Sequence, residues 1–214
     1  RWIRILYCYP EEITDELIQV MKEEEKVCHY LDLPIQHASD GILKRMGRKT
    51  SHQELVDLIA KLRREIPDIC IRTTLITGFP GETQEQHEEL MEFVDETEFD
   101  RLGVFTYSPE EGTPAAEMPD QIDEEVKEER QAELMELQQE IAFENAESMV
   151  GREVLVMIEG KVADENAYVG RTYRDAPNVD GLIFINTEEE LLSGDFARVK
   201  VTGALDYDLI GELL

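Results

Sequence analysis

Positive charge is scarce in this sequence: 21 Lys and Arg stand against 49 Asp and Glu, for a net charge of −28. Nucleic-acid backbones are bound largely by Lys and Arg that displace counterions, so the deficit disfavours DNA and RNA. It suits a basic protein partner, or plain solubility. Long apolar runs are missing too. None approaches the ~20 residues of a membrane-spanning helix, and no basic-then-apolar leader opens the chain. Cysteine is sparse. Cys8, Cys28 and Cys70 are odd in number and far apart, which argues against a disulfide framework and fits a reducing cytoplasm. No CxxC or CxxxCxxC spacing links them, so no metal ligand is assigned. Walker, GxGxxG, GxSxG and HExxH motifs are absent as well. What is present is ordinary for a soluble globular protein: 42% apolar and 33% charged residues.

The first part of the chain alternates short apolar runs with amphipathic helical stretches. Residues 1–9, 29–36, 69–78 and 101–107 read as strands. Between them, Thr14 caps one helix, and Ser51 with Glu54 forms a capping box ahead of Leu55, Leu58, Ile59, Leu62 and Ile66. Residues 83–97 make a third helix. Strands separated by helices mean βα units and a parallel sheet, which is normally covered on both faces. A sequence beginning inside an apolar alternation at Arg1 reads as part of a longer protein. After Pro119 comes a long Glu- and Gln-rich helix with a narrow stripe of Leu134, Leu137 and Ile141. From Gly151 the period changes to two, and five short strands with Gly- and Asp-rich turns read as a small closed barrel. The division is therefore 1–120 for a partial βα barrel, 121–149 for the helix and 150–214 for the β-barrel. The fold class is α/β followed by a small all-β, OB-like barrel.

Two strand ends carry the candidate chemistry. Gly78, Phe79, Pro80, Gly81, Glu82 and Thr83 form a strand-to-helix turn whose glycines allow close backbone approach to a ligand. The same six residues also suit a tight βα turn with no ligand. Gln36, His37, Ala38, Ser39 and Asp40 form the second cluster. These side chains could hydrogen-bond an adenine, ribose or amino-acid head group, or Ser39 and Asp40 could simply cap the next helix. Arg72 lies inside an apolar run, where a guanidinium needs a carboxylate from the protein or from a ligand.

Taken in order, Tyr7-Cys8-Tyr9-Pro10, Pro34 to Ser39, the Gly78–Thr83 hexapeptide and Tyr107-Ser108-Pro109-Glu110-Glu111-Gly112 resemble the methylthiotransferase branch of the radical-SAM enzymes. The terminal barrel resembles a TRAM domain. Arg72-Thr73-Thr74, Gly170-Arg171-Thr172 with Asp175 to Gly181, and Asp206 to Gly211 resemble the RimO type. That type modifies an aspartate of the small-subunit ribosomal protein numbered twelve. The resemblance implies an open βα barrel binding S-adenosylmethionine (SAM) and a [4Fe-4S] cluster. The cluster's electron would generate a 5′-deoxyadenosyl radical that takes hydrogen from the aspartate β-carbon, and a second SAM would methylate the inserted sulfur. It assigns Gln36, His37, Arg72, Thr74, Gly78, Phe79, Pro80, Gly81 and Glu82 to the SAM pocket, with Phe105 and Tyr107 nearby. Arg72 would then hold the methionine carboxylate. The loop supplying cluster ligands is not in this sequence and is expected upstream, so the chain alone should be inactive and no catalytic residue is named. The expected substrate contacts are Arg171, Asp175, Pro177 and Asp180. The expected partner is the basic ribosomal protein or the assembled ribosome, with no membrane, DNA or tRNA. The rival within the family is a tRNA methylthiotransferase acting on a modified adenosine. It calls for a basic barrel, whereas residues 150–214 hold six Lys or Arg against thirteen Asp or Glu. A rival of another class is a non-catalytic SAM-sensing or ribosome-docking adaptor.

Overall fold

A computed structural model describes residues 1–163 and 165–214. The helices of the first half start where the sequence places caps. Thr14 accepts the Leu17 N–H at 3.2 Å ahead of α1 (Asp15–Glu23). Full capping boxes, Ser51 with Glu54 and Thr83 with Gln86, open α3 (His52–Glu65) and α4 (Gln84–Thr97). Each such cap stabilises its helix by about 1 kcal/mol. Ser39 sits at the cap position of α2 (Asp40–Arg45) without a side-chain bond. The Asp40 carboxylate instead accepts the His52 N–H at 2.6 Å.

Four parallel strands, β1 (Ile3–Ile5), β2 (Val27–Asp32), β3 (Cys70–Thr77) and β4 (Arg101–Thr106), pair in that order. One sheet face is apolar: Leu31, Ile71, Leu75 and Val104 pack with Leu55, Ile59, Leu62, Leu90, Phe93 and Val94 from α3 and α4. The register sets Arg72 beside Arg101, Thr74 beside Gly103 and Ile76 beside Phe105. Side chains alternate between faces along a strand, so those six share the opposite face. α2 reaches only its C-terminal end, where Ile76 packs with Ile42 and Met46. Two expected strands are shorter than their apolar runs. Residues 1–9 give only Ile3–Ile5, and the run at 29–36 leaves the regular ladder after Asp32. Pro34 has no N–H to donate, although Leu33 N–H and Gln36 N–H still reach the Arg72 and Thr74 carbonyls at 2.8 and 3.0 Å.

The long helix α5 (Glu124–Glu147) lies along the free edge of β4. Its contact is only partly the expected stripe. Lys127, Gln131 and Gln138 donate to the carbonyls of Tyr107, Val104 and Phe99 at 2.9, 2.6 and 2.8 Å. An exposed strand edge is thereby closed by side chains.

Beyond it, β5 (Glu153–Lys161), β6 (Ala167–Arg171), β7 (Ile183–Asn186), β8 (Phe196–Leu205) and β9 (Asp208–Leu213) form a closed barrel in the order β5-β6-β7-β9-β8. Val156, Ile158, Ile183, Ile185, Val199 and Val201 fill it with no exposure. The barrel closes tightly at Gly170, where a Cβ would stand 2.6 Å from both the Met157 carbonyl oxygen and Val156 Cγ1. Gly170→Ala is expected to destabilise the barrel by about 1–3 kcal/mol. A drop in its urea midpoint at unchanged slope is the check.

Candidate functional site

The sheet face opposite α3 and α4 divides into a closed lower half and a more open upper half. At the lower, N-terminal end of the strands, the β6–β7 loop of the barrel packs directly on it. Ala176 and Tyr173 join Cys28, Tyr30, Cys70 and Trp2 in one apolar cluster. Above them lies a ladder of ion pairs. Asp180 accepts from Arg72 at 2.6 Å and from the Tyr30 hydroxyl at 2.8 Å, while Asp175 accepts from Arg101 at 2.7 Å. Arg174 pairs with Asp100, and Arg4 donates to the Tyr173 carbonyl at 2.7 Å. Asp175 also accepts the Thr172 N–H and hydroxyl, and Asp180 the Ala176 N–H, so the same carboxylates shape the loop and hold it to the sheet. Burial and the neighbouring Asp180 carboxylate push the Tyr30 phenol well up. Burial is also the chief cause holding all three cysteine thiols above their ordinary value. Poor thiolates make poor metal ligands. Among the described residues, no three His, Cys, Asp or Glu side chains gather to hold a metal, so the chain's own residues do not fit a cluster.

Arg72 therefore has a protein partner, the Asp180 carboxylate. It stands six residues, roughly 20 Å at ~3.3 Å each, below Gly78 along β3, and does not join the Gly78–Glu82 turn. The expected substrate contacts fare likewise. Asp175 and Asp180 are consumed in the ladder, and Arg171 pairs with Glu159 at 2.6 Å on the barrel. Of the four, only Pro177 is freely exposed. A cavity of about 440 Å³ beside the ladder is lined by Arg72, Arg101, Met135, Gln138, Asp180 and Tyr207, away from the turn.

The upper half is different. Thr74, Gly103 and Phe105 face outward there, with Phe105 62% exposed, while Ile76 on the same face packs against Ile42, Phe79 and Tyr107. Gly103 leaves a shallow hollow, since a Cβ would meet only the Phe105 ring, at 4.0 Å. At its rim Gln36 takes a left-handed conformation, φ 72°, and its Oε1 is buried without a partner. A non-glycine residue in that region costs of order 1–3 kcal/mol, and a buried acceptor left unpaired adds to the cost. Phe79 and Tyr107 pack edge to face at 5.1 Å, in a cluster with Ile42, Met46 and Ile76. Gln36, Thr74, Phe105, Tyr107 and the Gly78 turn are thus brought together at the C-terminal edge of a parallel sheet, the edge where such sheets bind ligands.

His37 and Glu82 point elsewhere. Both side chains are wholly buried, His37 Nε2 lying 3.2 Å from Glu82. His37 Nδ1 accepts the Ser39 N–H at 3.0 Å, which leaves the ring proton on Nε2, facing the carboxylate. Glu82 also accepts the Gly78 N–H at 2.9 Å and Arg130 of α5 at 2.7 Å. Burial pushes the Glu82 carboxyl up, but His37, Gly78 and Arg130 together pull it further down, to below the usual glutamate value. These two residues brace the turn from behind rather than line the open face. Gly78 itself has φ 71°, and a Cβ there would strike the Lys127 side chain. Pro80 and Gly81 complete the turn, with Gly81 N–H donating to the Asp120 carbonyl at 2.8 Å.

The Radical SAM superfamily profile matches residues 1–94, and the TRAM domain profile matches residues 150–214. A protein of Lachnoclostridium phytofermentans, named ribosomal protein uS12 methylthiotransferase RimO, is 68% identical over 98% of this chain and 48% of its own length. The protein of that name from Desulfitobacterium hafniense is 53% identical over 100% of this chain and 48% of its own. The chain spans about half the length of the curated relatives it matches. Of solved structures, coproporphyrinogen III oxidase HemN from Escherichia coli overlays 71% of this chain and 34% of its own, at 20% identity and a TM-score of 0.49, too loosely to carry an argument.

Proposed function

We propose that this chain is part of a radical-SAM enzyme and that its parent protein is a uS12 methylthiotransferase, like the RimO proteins it matches along nearly its whole length. The reaction adds a methylthio group to the β-carbon of an aspartate in that ribosomal protein. The observation that carries the proposal is the 68% identity over nearly the entire chain, both profiles included. SAM, when bound, supplies the radical-forming and methyl-donating groups. This chain's part is to hold it. The unpaired Gln36 Oε1 suits an amino or hydroxyl donor, Thr74 adds a hydroxyl, and the hollow at Gly103 with Phe105 suits a flat ring. The Gly78–Glu82 turn, braced by His37 and Arg130, fixes the rim. Cluster ligands would come from outside this chain.

The partner is the basic ribosomal protein, free or in the ribosome, and the site of action is the cytoplasm. Among the described residues no helix is long and apolar enough to cross a membrane. The barrel's excess of acidic residues supports a protein target over tRNA. The complete protein, reconstituted anaerobically with iron, sulfide and SAM, should methylthiolate uS12 and leave tRNA unmodified when given both. A thiomethylated adenosine with unchanged uS12 would transfer the protein to the tRNA branch.

A further inference from the structure

A groove of about 550 Å³ runs between α4 and α5, on the side of the helices away from the sheet. Glu88 on α4 and Glu133, Glu136 and Glu140 on α5 line it, with Met91 and Leu137 as its apolar floor and no Lys or Arg among its lining residues. His87 also lines it. That ring is 1% exposed, its Nε2 lies 2.7 Å from Glu133, and its Nδ1 has no partner. Buried polar atoms are nearly always paired, so an orphan in a groove wall marks a place where a donor is missing. Glu136 and Glu140 are both exposed on α5, pair with no cation among the described residues, and stand one turn apart, where like charges repel. The groove begins at Gln84, two residues past Glu82, and so leads away from the rim of the open sheet face.

We propose that the α4/α5 groove docks a Lys/Arg-rich segment of the protein substrate, next to the segment whose residue enters the open face. Charge complementarity selects the occupant. Lys and Arg side chains would set their aliphatic stems on Met91 and Leu137 and their charged heads among the four glutamates. A nucleic acid would meet only repulsion there. The inference rests on the protein-substrate reading above and specifies where that substrate is held.

The test is binding of fluorescently labelled uS12 to the intact protein, with methylthio transfer read separately. Glu136→Lys with Glu140→Lys, both on the exposed side of α5, should weaken binding about tenfold or more and flatten its salt dependence. Glu24→Lys with Glu25→Lys, exposed beyond the end of α1 and outside the groove, should change it less than about twofold. Equal weakening by both pairs would reduce the effect to general charge and overturn the proposal. Unchanged binding in the groove variant, or no binding by the wild type, would also overturn it. Binding that depends on the groove without methylthio transfer would leave the docking site standing and refute the enzymatic reading.

Discussion

Glu82→Gln is expected to cost the first half of the chain about 3 kcal/mol, as when one member of a buried ion pair is removed. The side chain is wholly buried and touches Arg130, itself 7% exposed, so the substitution leaves that buried guanidinium with neutral acceptors only, the Glu82 carbonyl and the new amide. The negative charge 3.2 Å from His37 Nε2 is lost at the same time, and the Gly78 N–H loses a charged acceptor. Thermal unfolding of the variant should show a lower midpoint, and Glu82→Gln with Arg130→Met should recover much of the loss, because the two changes share one interaction. The pH dependence follows from the lowered Glu82 pKa. Its contribution is fully present above the ordinary glutamate value near 4.5 and is lost as pH falls through the lower folded value. The variant should therefore lose less stability than the wild type on acidification below that range.

Asp180→Ala is expected to uncouple the terminal barrel from the sheet, at about 3–5 kcal/mol. One carboxylate there serves the Arg72 guanidinium, the buried Tyr30 hydroxyl and the Ala176 N–H. Without it Arg72 retains only Asp32, 3.9 Å away, a carboxyl whose pKa burial already raises. Cleavage of the β6–β7 loop by a low dose of protease, slow in the wild type, should become fast. A single unfolding transition should split into two. Unchanged cleavage would mean that the apolar contact of Ala176 and Tyr173 with Tyr30 holds the interface unaided.

How far the sequence shows these features depends on whether the signal is local. The capping box at Ser51, the period-two barrel strands and the βα alternation are local patterns, and each appears where expected. The grouping of Gln36, Thr74, Phe105 and Tyr107 follows from strand ends sharing one sheet edge. The partners of polar side chains are not local. Arg72 needs an anion by its burial alone, yet nothing near it in sequence selects Asp180, 108 positions on. The polar β6–β7 loop reads as a substrate contact because exposed loops often are, whereas Tyr30, Arg101 and Arg174 draw its carboxylates inward. Helix α5 hides its role in another way. Lys127, Arg130, Gln131 and Gln138 look like solvated positions in sequence, but their long side chains reach backbone carbonyls and Glu82. A hydrophobic stripe cannot reveal a contact made by hydrogen bonds.

The placement of the ligand face is tested most directly by SAM binding to the intact protein carrying Gly103→Phe. The new side chain would grow into the hollow beside Thr74 and Phe105, from a Cβ whose nearest neighbour is the Phe105 ring at 4.0 Å. Calorimetry should show SAM affinity reduced by about a hundredfold, roughly 2.7 kcal/mol, with the unfolding midpoint unchanged. Wild-type affinity in that variant would contradict the account, because SAM would then lie somewhere other than the upper half of this face.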